Sequence, residues 1–197
     1  MNKNLTRKEK ILYTALKIFA KQGYENSTIE EIAKEVGITK PAIYYYFRDK
    51  YAIYEEIFCQ NFQNLYSLVK DISKDKDPKS ALKSSIYIMG EYFFENSYFA
   101  LLFLRELSLL LDSFPKKCSS LLKDLLNEID NIIQEGVKEG YFKNQDRFTV
   151  ELLIFSSILN YTSIKSLYQK LEIDINLATQ DKILDLIYKT ILEGIAI

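Results

Sequence analysis

Residues 27–50 read Ser27-Thr28-Ile29-Glu30-Glu31-Ile32-Ala33-Lys34-Glu35-Val36-Gly37-Ile38-Thr39-Lys40-Pro41-Ala42-Ile43-Tyr44-Tyr45-Tyr46-Phe47-Arg48-Asp49-Lys50. Ser27 and Thr28 each stand three residues before a glutamate, so either pair can close a capping box at a helix start. Ile29, Ile32, Ala33 and Val36 fall on one face, and Gly37 suits the left-handed residue that ends a helix. A second helix opens almost at once. Thr39 is its predicted N-cap, and Pro41 is tolerated because first-turn amides have no intrahelical partner. Ile43 and Phe47, four apart, point inward. Arg48-Asp49-Lys50 breaks the pattern, and Asp49 is placed to cap a further helix carrying Tyr51, Ile53, Tyr54, Ile57 and Phe58.

Toward the N-terminus, Thr6 and Glu9 have capping-box spacing, and Ile11, Ala15, Ile18 and Phe19 follow at helical spacing. Gly23 suits a helix end, with Tyr24 able to pack back on the helix. Two short helices joined through a glycine, the second opening on small polar and basic residues, form a helix-turn-helix. Its second helix lies in the DNA major groove, where its first residues reach base edges and nearby lysines hold phosphates. The charge agrees. Residues 1–50 carry ten Lys and Arg against six Asp and Glu, a net of +4, whereas the remainder carries 16 against 21, a net of −5. A basic segment joined to an acidic one confines the polyanion contact to one end.

Six glycines and three prolines in 197 residues are too few for the turns of a sheet-rich protein, so the whole chain reads as all-α. Beyond the charged connector 74–79, an apolar run extends from Ala81 to about Leu111 with a break near Asn96-Ser97. Ser113-Phe114-Pro115 punctuates again. Leu121 to Ile133 continue at helical spacing to Gly136 and Gly140. Two further helices are predicted over about 146–169 and 177–193, and all three prolines fall at helix starts. The longest charge-free apolar stretch, Leu152 to Ile164, is too short and too polar to span a membrane, and Met1 to Lys10 has no signal-peptide core. Cys59 and Cys118 belong to no paired motif and are read as reduced thiols of a cytoplasmic protein. There is no histidine, no phosphate-binding glycine loop and no acid pair at a recognisable spacing. No catalytic residue, metal ligand or cofactor is therefore predicted, and an enzyme is disfavoured.

Gly23-Tyr24 and the quoted stretch through Lys50 closely resemble the tetracycline-repressor (TetR) family over roughly residues 7–58. Tyr46 stands where the family often has His, and Ile43 where Leu is commoner. Gly136-Val137-Lys138-Glu139-Gly140-Tyr141-Phe142, followed by Asp146, resembles more weakly the junction before the family's last two helices. The resemblance implies a three-helix DNA-binding domain over 1–50. A bundle of six or so helices over 51–197 would bind an effector and dimerise. It further implies a homodimeric repressor released from a palindromic operator by a small molecule. A DNA-binding regulator without such a ligand, or an activator, is the alternative.

On this pattern the DNA contacts fall to Thr28, Thr39, Lys40, Pro41, Ala42, Tyr44, Tyr45 and Lys50. Lys40 and Lys50 are expected to neutralise phosphates, Tyr44 and Tyr45 to offer phenols to phosphate oxygens, and Tyr46 and Phe47 to pack against the first helix. Aromatic residues at helical spacing ordinarily form core. If some line a pocket instead, Phe62, Tyr66, Tyr87, Phe103 and Phe155 are candidates, with Glu106, Asn127 and Asn160 as polar anchors, and a hydrophobic or aromatic effector fits such walls. The surplus of apolar residues in the last two helices assigns Phe155, Ile158, Leu159, Ile183, Leu184 and Ile187 to a dimer interface.

Overall fold

A computed structural model describes residues 5–74, 76–109, 114–144, 146–173 and 180–195. The described residues form α1 (Arg7–Gln22), α2 (Ile29–Val36), α3 (Lys40–Tyr44), α4 (Lys50–Ser73), α5 (Pro78–Glu95), α6 (Ser97–Ser108), α7 (Ser119–Lys138), α8 (Arg147–Lys170) and α9 (Gln180–Ile195), with a 3-10 turn Lys116–Cys118 before α7. The fold is all-α. The expected break at Ser113 and the expected start of the last helix at Leu177 lie outside the described residues.

Local chemistry sets the helix ends. Thr6 with Glu9 and Thr28 with Glu31 close full capping boxes on α1 and α2, so Thr28 rather than Ser27 is the second N-cap. Asp49, Asp77 and Asp146 accept first-turn amides of α4, α5 and α8. Gly37 ends α2 at φ +78°, ψ +37°, and Gly23 ends α1 at φ +89°, ψ 159°, where a side chain would also meet the Arg105 guanidinium of α6. Thr39 is at the N-cap position of α3, but its hydroxyl makes no capping hydrogen bond. Pro41 has removed one first-turn amide, and the Ala42 amide is bonded 3.0 Å from the Thr39 carbonyl.

Helix α4 runs through the one continuous core. Its first half buries Ile53, Tyr54, Ile57 and Phe58 against α1, where Tyr54 meets Phe19 and Tyr24 at ring separations of 5.7 and 4.6 Å. Its second half packs on α5 and α7. Phe58, Phe62, Phe93, Phe99, Phe103 and Phe114 interlock at the centre, so aromatic residues fill this part of the second domain. Glu106 and the Tyr54 hydroxyl are buried at the junction with α1. Each leaves an oxygen without a partner, and burial, reinforced by Glu106, raises the Tyr54 phenol.

Cys59 and Cys118 are joined by a disulfide, with Cα atoms 5.0 Å apart, which corrects the reading of two reduced thiols. Their separation of 59 residues carried no pairing signal; the packing of α4 against the start of α7 brings them together. Three of the residues assigned to a dimer interface have partners inside the chain. Ile158, Leu159 and Leu184 are buried within this one chain. Leu184 fits the notch left by Gly90 of α5, where a Cβ would overlap its methyl groups.

Candidate nucleic-acid interface

Helix α3 is only five residues long and is held from beneath. Ile43 and Phe47 are buried and face the α1–α2 core, while the opposite side carries Thr39, Lys40, Tyr44 and Tyr45 into solvent. Tyr45 is 84% exposed and Tyr44 45%. The two share the exposed side of α3 with Pro41 and with the Thr39 hydroxyl, which makes no capping hydrogen bond. Tyr46 does not pack inward as expected. It is exposed and meets Tyr45 edge-on at 5.0 Å, because α3 ends at Tyr44 and the following turn points its ring outward. Phe47 does pack inward, with Lys8 of α1 over its ring at 5.5 Å.

The two lysines expected on phosphates are held differently. Lys40 is exposed, lies over the Tyr44 ring and pairs with Glu30 of α2. The hydrogen bond to Glu30 holds its ammonium above the usual lysine range and Glu30 below the usual carboxylate range. A solvent-exposed pair of this kind is weak and readily exchanged for another anion. Lys50 is turned inward. Its Nζ donates to the carbonyls of Tyr24 at 2.7 Å and Ser27 at 2.8 Å, and sits 4.2 Å from the Tyr24 ring centroid. The first residue of α4 thus gathers the carbonyls of the α1–α2 loop, that of Tyr24 also accepting from Ser27 Oγ at 2.6 Å. Thr28 is exposed, but its hydroxyl already serves the α2 capping box.

The candidate effector residues do not converge. Phe62 and Phe103 meet edge-to-face within the core. Tyr66 borders Lys70, Tyr87 faces Asp185 of α9, and Glu106 lies under α1. Asn127 accepts from Arg147 at 3.1 Å, so it is engaged in joining α7 to α8. Phe103, Phe155 and Asn160 do share one feature, a cleft of about 410 Å³ between α6, α7 and α8 whose walls include Leu107, Leu126 and Phe148. On α8 and α9 the exposed large hydrophobic residues described are Phe148, Leu152, Leu153, Ile164, Leu167, Tyr168 and Leu186, which sequence periodicity did not separate from the buried stripe beside them. Phe155, Ile183 and Ile187 are half-buried between the two sets.

No described helix is long and apolar enough to cross a membrane. The pattern described as bacterial regulatory proteins, tetR family, matches residues 11–57, which take in α1 to α3 and the first part of α4. The chain is similar to the HTH-type transcriptional regulator YerO of Bacillus subtilis, with 28% identity over 176 residues, covering 85% of this chain and 59% of that protein. It is also similar to the biofilm operon icaADBC HTH-type negative transcriptional regulator IcaR of Staphylococcus epidermidis, with 24% identity over 136 residues, covering 68% of this chain and 69% of that one. This chain spans only 50–59% of the length of two of the curated relatives it matches. Among solved structures, the ketosteroid transcriptional regulator KstR2 of Mycobacterium tuberculosis superposes with a TM-score of 0.79 at 19% identity, covering 99% of this chain and 97% of that one, a likeness of fold. A family match over α1–α3 and the start of α4, curated regulators as relatives and a shared fold agree: the helix-turn-helix domain over residues 11–57 belongs to the tetR family of bacterial regulatory proteins.

Proposed function

We propose that this protein is a homodimeric, cytoplasmic transcriptional repressor that holds a palindromic DNA operator through α3 and is released by a small apolar molecule. The observation that carries the DNA reading is the exposed face Thr39, Lys40, Tyr44 and Tyr45 on a helix anchored by buried Ile43 and Phe47. Phenols and a free hydroxyl position a protein on phosphates, and Lys40 can trade Glu30 for a phosphate or a guanine edge. Pro41 and Ala42 complete the first turn and bring the backbone close to the groove. IcaR, a relative, bears the name of a negative regulator, which supports repression as the sign of control.

Dimerisation is read from the exposed leucines and isoleucines grouped on α8 and α9, apolar side chains of the kind that mark an interaction surface. The cleft between α6, α7 and α8 supports a hydrophobic or aromatic effector, since its lining is almost wholly carbon and its polar groups are few. Selection of bound DNA from a random pool tests the reading. A two-fold-symmetric site with half-sites spaced by about one helical turn, or a multiple of it, is expected. Recovery of no preferred sequence, or of an asymmetric single half-site, refutes it.

A further inference from the structure

The Cys59–Cys118 bond sits where a covalent link has the most leverage on the DNA-binding helices. The chain has two cysteines, and both are in this one bond. Cys59 follows directly on Phe58, whose ring joins Tyr54 of the α1 side to Phe99 and Phe114 of the second domain. Cys118 closes the 3-10 turn and is the N-cap residue of α7. Although α1 packs on α6 and one core runs through both parts, the joint beside the bond is open on one side. A cleft of about 400 Å³ opens between Tyr24 and Tyr51 on one side and Phe114 and Lys116 on the other, with an exposed Lys117–Glu55 pair at 3.7 Å across it. The two cysteines also differ in burial, since Cys59 is half-buried and Cys118 has no exposed surface.

We propose that Cys59 and Cys118 form a reversible oxidation site whose state sets how firmly the DNA-binding helices are held to the second domain. Disulfides inside bacterial cytoplasm are ordinarily transient and regulatory, which fits a switch better than a permanent staple. Hydrogen peroxide is the oxidant class. The Cys59 thiolate attacks one peroxide oxygen and forms a sulfenic acid while hydroxide leaves. The Cys118 thiolate then attacks the Cys59 Sγ, the S–S bond forms and a second hydroxide leaves. Two electrons pass from the two sulfurs to one peroxide, and the two thiol protons convert the hydroxides to water. A small dithiol reverses the step by attacking Sγ of Cys59, the less buried of the two. Cys118 leaves as a thiolate at the positive end of α7, and the second reductant thiol then displaces Cys59 and closes its own disulfide.

The functional consequence rests on the DNA-binding reading above, so the test keeps the two apart. Full-length protein is reduced with dithiothreitol, desalted and treated with equimolar hydrogen peroxide. Maleimide mass-tagging should fall from two thiols to none, with the chain still monomeric on a non-reducing denaturing gel. Amide hydrogen exchange over residues 24–58 should be at least threefold slower in the oxidised form. Two thiols surviving peroxide, covalent dimers, or exchange rates within threefold of each other overturn the proposal, and none of these readouts needs DNA. With a selected DNA site in hand, oxidised and reduced protein should differ at least threefold in Kd. The difference should vanish in both Cys59→Ser and Cys118→Ala, whose folding is checked by circular dichroism. Equal affinities in the two states overturn the regulatory role, whereas failure to select any DNA removes only the operator reading.

Discussion

Lys50→Ala separates two tasks that one ammonium could perform. In the structure its Nζ reaches the Tyr24 and Ser27 carbonyls at 2.7 and 2.8 Å, and the Tyr24 ring at 4.2 Å. A hydrogen bond to a charged donor contributes about 1.5–3 kcal/mol, and a cation over an aromatic face about 0.5–1 kcal/mol at an exposed site. Lys50 is half-buried, so water replaces part of this, and about 2 kcal/mol is the expected loss for the set. For a chain of this size that loss lowers Tm by about 4–8 °C. A phosphate contact has a different signature, a reduction of about 0.9 in the slope of log Kd against log salt. Thermal unfolding by circular dichroism and anisotropy titrations of a selected operator over a salt series measure the two. Lys50→Ala should lower Tm with the salt slope unchanged. Lys40→Ala, whose side chain is exposed on α3, should lower the slope with Tm unchanged. A Lys50→Ala protein with the native Tm and a slope reduced by about 0.9 would refute the inward role.

Three other outcomes follow from particular contacts. Gly136→Ala places a Cβ into the buried Phe142 ring; overpacking costs about 1–3 kcal/mol against about 1 kcal/mol gained in helix propensity, so Tm should fall, and a rise would show that the ring yields freely. Tyr92 donates to Asn61 Oδ1 at 2.8 Å, and burial pushes its phenol up to about 12. Because that lies above the unfolded value of about 10, its stabilising effect is complete below pH 10 and is lost as pH rises toward 12. Tyr92→Phe should therefore cost about 1 kcal/mol at pH 7, and the gap to the parent protein should close above pH 10; a gap that stays constant in alkaline melts counts against this. Thr39→Val should leave Tm unchanged, since the hydroxyl caps nothing, while weakening operator binding severalfold; a Tm drop typical of a lost N-cap, about 1 kcal/mol, would contradict the uncommitted hydroxyl.

The elements that could be read from the sequence are those whose cause is local. Thr6, Thr28, Asp49, Asp77 and Asp146 act within three residues of themselves, and the helix starts they mark stand where predicted. The inward pair Ile43 and Phe47 was legible for the same reason, since a four-residue spacing on a helix places both on one side. What failed depends on partners distant in sequence, or on competition within one turn. Thr39 has the residue type of a cap, but Pro41 and the Thr39 carbonyl leave it no amide. Lys50 matches a phosphate-binding pattern, yet its neighbours in space are carbonyls 23 and 26 residues away. Leu184 looked like surplus surface until a glycine 94 positions earlier offered it a notch. The disulfide needed the docking of α4 on α7, which neither cysteine signals. The pocket was the least legible, because an apolar wall and an apolar core use the same residues at the same period.

Helix α4 also acts as a mechanical part. At 1.5 Å per residue its 24 residues make a rod about 36 Å long, with Lys50 about 14 Å from Cys59 along the axis. In the proposed switch Cys59 would be the fulcrum of that rod, and Lys50 the fingertip that grips the α1–α2 loop. A tilt of about 10° at the fulcrum swings the fingertip by about 2.4 Å. In the proposed dimer the two rods would move oppositely, shifting the separation of the reading heads by about 5 Å against the roughly 34 Å between successive major-groove faces. A bond one residue beyond Phe58 would thus alter the span of the whole reader while leaving each head intact.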